Sequence, residues 1–216
     1  MIKLIIFDID GTIVDAYDAI ERSLNFTLKK VGYPKVGHLT ARRAVGFGDR
    51  NFIKNFVKPC DVRRALDTYR QHHQVSLLKY SRLMPGAKKV LTTLKKHGYL
   101  LAVATNRPRA YSAVLLRHLG LKRYFDIVLC AKNKKEIKPS PHLIETVIKK
   151  LNVKKTEAMY VGDMTIDVRA GKNAGVKTIA IVGGSSYRSE LKKTKPFKII
   201  TQLSELLGIC ASSRQT

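Results

Sequence analysis

Two aspartates close to the amino terminus have the type and spacing of residues that do chemistry. Asp8 and Asp10 follow the apolar run 4–6 and precede Gly11. Such a run is typical of a strand that is buried on both faces of a parallel sheet. If the strand stays extended, the two side chains share one face, and carboxylates this close repel each other unless a cation lies between them. The pattern therefore indicates an oxygen-ligated divalent ion, most simply Mg²⁺, and the alternative is an Asp-rich turn after a strand.

The elements that must position these aspartates are predicted by the rest of the chain. From residue 84 onward, strand-like and helix-like segments alternate, which predicts an α/β fold with a parallel sheet and crossover helices. Thr105 follows the second predicted strand, Lys138 the third, and Asp163 with Asp167 the fourth. The carboxyl ends of parallel strands meet at one edge, where open α/β sheets bind ligands. We therefore expect these side chains to join the two aspartates.

This set of residues suits phosphoryl transfer. One carboxylate can attack phosphorus, a metal ion can neutralise the phosphoryl oxygens, and a lysine can add a further positive charge. The uncatalysed hydrolysis of phosphate monoesters is so slow that enzymes need accelerations of up to ~10²¹-fold, and positioning with charge neutralisation must supply most of that. The predicted sheet edge offers groups for both purposes.

A helical segment interrupts the strands after the first one. Apolar residues recur at helical spacing in 20–31, a second helical stretch follows Gly46, and a third begins near Asp61. The pattern predicts an inserted helical cap over 16–82 and a core made of 1–15 and 83–216. Phe47, Phe52 and Phe56 are expected to form the core of the cap, with a binding surface as the alternative. Residues 211–216 are expected to form a frayed polar tail.

Composition restricts the class of protein and of partner. The 216 residues are 44% apolar and 26% charged, as in an ordinary soluble globular protein, but the formal net charge is +25 and the pI is about 10.2. Such an excess favours anionic partners, whether phosphorylated metabolites, nucleic acid or an acidic membrane surface. The basic residues are spread along the chain and several fall on outer faces of predicted helices. This distribution favours a solvated basic surface over a nucleic-acid groove, and nucleic-acid binding stays an alternative.

The cysteines indicate the compartment. Cys60, Cys130 and Cys210 are an odd number without Cys-x-x-Cys spacing, which argues against a disulfide framework and a zinc site and indicates a reducing environment. The amino terminus leads directly into the first strand, without an apolar stretch long enough for export or for spanning a membrane. We therefore predict a cytoplasmic protein that does not enter a membrane. The sequence does not predict the oligomeric state.

Four motifs, in their order along the chain, resemble those of the haloacid dehalogenase (HAD) superfamily. They are Phe-Asp-Ile-Asp-Gly-Thr at 7–12, Thr105-Asn106, Lys138-Pro139, and Gly-Asp-x-x-x-Asp at 162–167. The phosphoglycolate phosphatase-like branch is the most similar, through Asp-Gly-Thr-Ile-Val-Asp, Thr-Asn-Arg-Pro and Lys-Pro-Ser-Pro. The resemblance implies a HAD-like Rossmannoid parallel sheet flanked by helices, with an inserted α-helical cap. One departure is Gly171, where the family frequently has alanine.

The resemblance also implies catalytic roles. Asp8 would be the nucleophile and become an aspartyl phosphate, and Asp10 would protonate the leaving oxygen and then activate water. Thr105, assisted by the backbone at Asn106, would hydrogen-bond a phosphoryl oxygen. Lys138 would hold the phosphate and offset the charge of Asp8. An acid at position 10 favours a phosphatase or phosphomutase, since dehalogenases of the superfamily lack it.

The metal site implied by the resemblance holds Mg²⁺. Asp163 would bind the ion together with Asp8 and the carbonyl of Asp10, and Asp167 would support the metal or orient Lys138. For each acid the alternative is a helix N-cap or a turn aspartate.

The cap selects the substrate in this superfamily. Arg43 and Arg50 near the Gly46-Phe47-Gly48 loop, and Arg107 after the second motif, are expected to bind a carboxylate or a second phosphate, with surface arginines as the alternative. The sequence thus predicts a Mg²⁺-dependent phosphatase for a small phosphomonoester, possibly phosphoglycolate. The alternatives are a phosphomutase of the same superfamily and a basic nucleic-acid-binding protein or nucleic-acid terminal phosphatase.

Overall fold

The central element is a six-stranded parallel sheet. The computed structural model describes residues 1–212. The strands of the sheet are β1 (Leu4–Phe7), β4 (Leu100–Thr105), β5 (Ile127–Cys130), β6 (Ala158–Gly162), β7 (Lys177–Ile181) and β8 (Lys198–Ile200). Their order is β5-β4-β1-β6-β7-β8, and every pair is parallel. The α/β fold with a parallel sheet that the sequence predicts is confirmed.

Strand β1 lies in the middle of the sheet because both of its faces are apolar. Ile5 and Phe7 point into the larger hydrophobic core, while Leu4 and Ile6 point into a second core on the opposite face. All four residues are completely buried. Burial of a side chain of this size stabilises the fold by about 1.5–3 kcal/mol, so the run favours a central position for the strand.

Helices cover both faces of the sheet. The larger core is closed by α5 (Ala87–Lys96), α6 (Arg109–His118) and α10 (Glu205–Ser212), and the second core by α7 (His142–Lys150) and α8 (Thr165–Ala174). The short helix α9 (Arg188–Lys193) follows β7. In α5 the buried residues are 87, 90, 91 and 94, which is the spacing of one helix face.

The segment between β1 and the rest of the sheet is helical, as the sequence predicts. It contains α1 (Tyr17–Val31), α2 (His38–Arg43), α3 (Asp49–Lys54) and α4 (Val62–Tyr80). An antiparallel ribbon of β2 (Val14–Asp15) and β3 (Arg82–Leu83) joins this segment to the core. The assignment of 16–82 as a cap therefore stays a proposal that agrees with the position of the ribbon.

Two local expectations are corrected. Phe52 is buried and Phe56 packs against it, but Phe47 is 42% exposed and is not part of the core of the helical segment. At the other end of the chain, residues 211 and 212 complete α10 instead of beginning a frayed tail. Residues 213–216, the remainder of that expected tail, lie outside the described residues.

Within 1–212 the helices are too short or too polar to cross a bilayer. The three cysteines are free thiols, in agreement with the sequence-based argument against a disulfide framework.

Packing explains why position 171 is glycine and not the alanine that is frequent in the family. It lies in α8 against β7, and a Cβ at this position would come within 2.1 Å of Thr178 Oγ1 and 3.3 Å of Thr178 Cβ. Thr178 is buried, and its Oγ1 can move away only by a χ1 rotation that the surrounding packing and the branched side chain disfavour. The two residues are therefore expected to be coupled.

We predict that Gly171→Ala alone lowers the free energy of unfolding by about 1–3 kcal/mol, the usual range for an overpacked core. In a Thr178→Ala background the same substitution is expected to be neutral or stabilising, because alanine favours helix by up to about 1 kcal/mol over glycine. Urea unfolding of the four proteins measures this coupling. Thr178→Val, which retains the bulk at the γ position, is the matched control and should not rescue. An equal cost of Gly171→Ala in every background would contradict the prediction.

Candidate active site

The residues that follow the parallel strands meet at one edge of the sheet, as the sequence predicts. Asp8 follows β1, Thr105 ends β4, Lys138 lies in the loop after β5, and Asp163 follows β6. Asp8, Thr105 and Lys138 border a cavity of about 70 Å³ between the sheet edge and the helical segment. One carboxylate oxygen from each of Asp8, Asp163 and Asp167 lies within 4.8 Å of the other two, and all three residues are buried.

Lys138 neutralises part of this acidic cluster. Its Nζ lies 2.9 Å from Asp8 Oδ1 and 2.7 Å from Asp167 Oδ1, and it donates to the Tyr160 hydroxyl at 3.0 Å. Burial alone would lower the pKa of Lys138, but the charges of Asp167 and Asp8 raise it well above its ordinary value. The ammonium is therefore charged, and Asp167 is placed to orient it. Tyr160 is a contact that the sequence analysis missed, because a tyrosine in an apolar strand carries no signal of its own.

Asp163 is held by three donors. Tyr17 donates its hydroxyl to Asp163 Oδ2 at 3.0 Å, the backbone N–H of Ser185 donates to the same oxygen at 2.7 Å, and the Thr12 hydroxyl lies 3.4 Å from Oδ1. Burial, followed by the charges of Asp167 and Asp8, raises the pKa of Asp163 well above its usual range. Three buried carboxylates share one ammonium, so the cluster requires a further positive charge or a proton.

The cluster has the properties of a site for a hard divalent cation. Asp8 Oδ1 is buried and without a hydrogen-bond partner, although Lys138 Nζ is close enough for an ion pair. Three buried carboxylates this close together offer the all-oxygen ligands that Mg²⁺ prefers. The residues present therefore fit the ion that the sequence predicts.

Asp10 lines the same pocket as Asp8 but does not belong to the acidic cluster. Strand β1 ends at Phe7, and the chain turns so that the Gly11 N–H donates to the Val14 carbonyl at 2.8 Å. The condition for a shared face is not met, and the Asp10 carboxylate lies outside the acidic cluster. A cation between the carboxylates of Asp8 and Asp10 stays a prediction, and the three carboxylates that come together in the structure are those of Asp8, Asp163 and Asp167. A role for the Asp10 carbonyl as a metal ligand stays a prediction.

Arg107 binds the Asp10 carboxylate instead. Its Nε donates to Asp10 Oδ2 at 2.8 Å and its Nη2 donates to Asp10 Oδ1 at 2.6 Å. The third nitrogen, Nη1, lies 3.3 Å from Nε2 of His73 on α4. The guanidinium side chain is 5% exposed. The structure therefore places Arg107 at the pocket, where the sequence predicts it, but engaged with a catalytic candidate.

His73 is a neutral neighbour of this arginine. Its Nδ1 lies 3.1 Å from the Ser23 hydroxyl, which donates to the Ala19 carbonyl. Burial, followed by the charge of Arg107, lowers the pKa of His73 to about 2. The ring thus presents Nε2 as an acceptor to Arg107. The sequence analysis missed His73, because a single histidine on a helix face is no signal without its partner.

Asn106 ties the helical segment to the loop that carries the lysine. Its Oδ1 accepts from the backbone N–H of Lys138 at 2.9 Å, and its Nδ2 donates to the Gly46 carbonyl at 2.6 Å. Thr105 Oγ1 accepts from the backbone N–H of Arg107 at 3.2 Å. Both residues of the predicted Thr-Asn pair therefore border the pocket.

The other two predicted substrate-binding arginines lie elsewhere. Arg43 forms a two-pronged ion pair with Glu190, at 2.6 and 2.9 Å, and Arg50 is exposed on α3. Neither belongs to the residues that line the pocket within the described chain. Arg42, which the sequence analysis did not single out, donates to the carbonyls of Gly183 and Gly184.

The comparisons with known proteins agree with this geometry. Residues 5–181 match the haloacid dehalogenase-like hydrolase family. A phosphoglycolate phosphatase from Vibrio parahaemolyticus is 29% identical over 98% of this chain and 97% of its own length. A pyrophosphatase, PpaX, from Halalkalibacterium halodurans is 29% identical over 96% of each chain. The crystal structure of a predicted phosphoglycolate phosphatase from Haemophilus somnus 129PT is 26% identical, with a TM-score of 0.90 over 97% of this chain and 98% of that one.

The chain therefore belongs to the haloacid dehalogenase-like hydrolase family. The resemblance to its phosphoglycolate phosphatase-like members and the HAD-like fold are both confirmed. The prediction of a phosphoric monoester hydrolase is confirmed at the level of the family and its named phosphatases.

Because His73 is neutral in the folded protein, the free energy of unfolding should decrease at acidic pH. The unfolded chain has an ordinary histidine pKa of about 6.5, so it takes up a proton as the pH falls through that value while the folded state does not. The folded state then loses up to about 1.4 kcal/mol per pH unit, or about 2 kcal/mol between pH 7 and pH 5. We expect His73→Gln to lose about 2 kcal/mol less than the wild type over this interval, as measured by urea unfolding at both pH values.

His118→Gln is the matched control, because His118 is exposed on α6 and should leave the acid sensitivity of the wild type intact. If His73→Gln and the wild type lost the same stability between pH 7 and pH 5, His73 would have to be charged in the folded protein.

Proposed function

We propose that this protein is a Mg²⁺-dependent phosphatase that hydrolyses a small phosphomonoester through a phosphorylated Asp8. The observation that carries the proposal is the buried group of Asp8, Asp163 and Asp167 around Lys138 at the carboxyl edge of the sheet. When bound there, a divalent ion would supply positive charge to the phosphoryl oxygens. The cytoplasmic location predicted from the sequence belongs to this proposal.

The first step is a displacement at phosphorus. An oxygen of Asp8 attacks, the bond between phosphorus and the ester oxygen breaks, and Asp10 gives that oxygen a proton. Lys138 holds the negative phosphoryl oxygens, and Thr105 with the backbone at Asn106 donates to another of them.

The second step returns the enzyme to its initial state. Asp10, now a carboxylate, takes a proton from water as the water oxygen attacks phosphorus. The bond between phosphorus and Asp8 breaks, and inorganic phosphate leaves. The same carboxyl group thus serves as acid and then as base, which requires it to lie beside the phosphoryl group without bonding to it.

The pocket and the relatives support a small anionic substrate. The cavity of about 70 Å³ is far below the ~300–1,000 Å³ of pockets for drug-sized ligands. The relatives are named for phosphoglycolate and for pyrophosphate, and in each of these compounds the leaving group is itself an anion. Phosphoglycolate is therefore our first candidate, and pyrophosphate belongs in the same test.

We predict phosphate release that requires both Mg²⁺ and Asp8. The panel comprises phosphoglycolate, pyrophosphate, sugar phosphates, nucleotides and a 3′-phosphorylated oligonucleotide. Asp8→Asn should lower kcat by roughly 10³-fold or more, in the range found when a catalytic nucleophile is removed. Asp18→Asn is the matched control, because Asp18 is an exposed residue paired with Arg22 on the surface of α1. A phosphomutase would instead require a bisphosphate activator, and a preference for the oligonucleotide would favour the nucleic-acid alternative.

The metal site can be tested without turnover. Mg²⁺ should raise the melting temperature of the wild type by binding the folded state, and Asp163→Asn should lose most of that increase. In the presence of EDTA the order is expected to reverse, with Asp163→Asn the more stable protein, because it relieves repulsion among three buried carboxylates. An equal Mg²⁺-induced increase in both proteins would contradict the assignment of Asp163 as a ligand.

A further inference from the structure

The contact between Arg107 and Asp10 is incompatible with the proton transfer proposed for Asp10. Both carboxylate oxygens accept from the guanidinium, at 2.6 and 2.8 Å. A general acid must instead carry an O–H proton directed at the leaving oxygen, and an oxygen that carries a proton loses acceptor capacity toward an N–H donor. The paired state is therefore a resting state, and Arg107 has to release Asp10 before the chemistry begins.

The pocket shows which group can remove Arg107 from Asp10. Among the described residues that line it, Arg107 and Lys138 are the positively charged ones, and Lys138 is held by Asp8 and Asp167. The aromatic and aliphatic part of the wall offers no charge to an anion. It includes Ile20, Val45, Phe52, Tyr69 and Tyr111.

His73 and Asp49 also belong to the wall, and neither offers a positive charge to an anion. His73 is neutral, with its pKa lowered to about 2 by burial and by Arg107. Asp49 is negative and is paired with Arg70 at 2.7 Å. Because Lys138 is assigned to the phosphoryl group, the cation left for an anionic group on the leaving part of a substrate is Arg107, which that group can reach by replacing Asp10.

We propose that the Arg107–Asp10 ion pair is a specificity gate that opens for phosphomonoesters whose leaving group carries a second anion. The anion of the substrate takes Nε and Nη2 of Arg107, while Nη1 stays close to His73 Nε2 on the helical segment. Asp10 is thereby freed to hold its proton and to face the leaving oxygen. A substrate with an uncharged leaving group leaves the pair intact and reacts slowly.

This inference rests on the proposed phosphatase function and adds to it the class of leaving group. A carboxylate and a second phosphate both match the planar fork of an arginine, so the shared chemistry is an oxyanion of the leaving group. The gate selects this class of leaving group through catalysis as well as through binding, because the oxyanion also frees Asp10 to act as the general acid.

The test compares 2-phosphoglycolate with its uncharged amide, which has nearly the same shape. We expect the wild type to prefer the acid by roughly 10²-fold or more in kcat/KM, as for a site that must pair a buried polar group. Arg107→Met should lower kcat/KM for the acid by a similar factor and raise it severalfold for the amide, since Asp10 is no longer held. Arg109→Met, at an exposed arginine two residues further on, is the matched control and should leave both values intact.

A second measurement adds a free carboxylate to the wild type and to two variants. Added sodium acetate should accelerate hydrolysis of the amide, because free acetate can take Arg107 from Asp10, and sodium chloride at equal ionic strength should not. Arg107→Met should show no acetate effect. Arg107→Lys keeps the charge but not the two-pronged geometry, so it should hydrolyse the amide faster than the wild type while keeping part of the preference for the acid.

The possible results distinguish a failure of the proposed gate from a failure of the proposed phosphatase function. Equal losses for acid and amide in Arg107→Met, or a wild type that hydrolyses both equally without acetate, would overturn the gate and leave the phosphatase in place. No phosphate release from any compound under any condition would remove the proposed function, and the gate with it. If Arg107→Met does not fold, the acetate effect and Arg107→Lys decide the question.

Discussion

The constraint on which the site depends is the burial of three carboxylates beside a single ammonium. Asp8, Asp163 and Asp167 are each at most 6% exposed, and Lys138 is 2% exposed. Charges removed from water are tolerated when they are paired and hydrogen-bonded, and the backbone must come close to supply those bonds. Gly184 shows the result, since a Cβ there would lie 1.9 Å from Asp163 Oδ2 and displace the loop whose Ser185 N–H holds that oxygen.

The same constraint links the helical segment to the chemistry at several points, the most direct being the Tyr17 hydroxyl on α1, which donates to Asp163. Arg42 on α2 contacts the 183–184 carbonyls next to Ser185, which donates to Asp163. Asn106 bridges the Gly46 carbonyl to the backbone of Lys138, and Arg107 bridges α4 to Asp10. A neutral hydrogen bond contributes about 0.5–1.5 kcal/mol and one with a charged partner about 1.5–3 kcal/mol, so these contacts together couple the position of the segment to a proposed metal ligand, to the lysine loop and to the proposed acid.

Sequence reasoning found the sheet edge because its signals are local. An apolar run followed by Asp8, or by Thr105, is visible in a window of a few residues and places the polar residue by strand geometry alone. The ion pair of Asp10 is not local. It depends on Arg107, which lies 97 residues further along the chain and comes close only in the folded protein. Tyr160 and His73 were not predicted for the same reason. Each is an ordinary residue of a strand or a helix until its partner in the folded protein is known.

The basic surface and the pocket act on an anion in different ways. The chain has 41 lysines and arginines, yet the described lining of the pocket contains two of them, and both are engaged by carboxylates. The large net positive charge can therefore attract any phosphorylated compound over distances of about a Debye length, without distinguishing one from another. Discrimination requires the buried guanidinium, since only there does one anion replace another at hydrogen-bond distance and out of water. Attraction by the basic surface and exchange of anions at Arg107 thus act over different distances. Salt should weaken the attraction by the surface and leave the exchange at Arg107 in place.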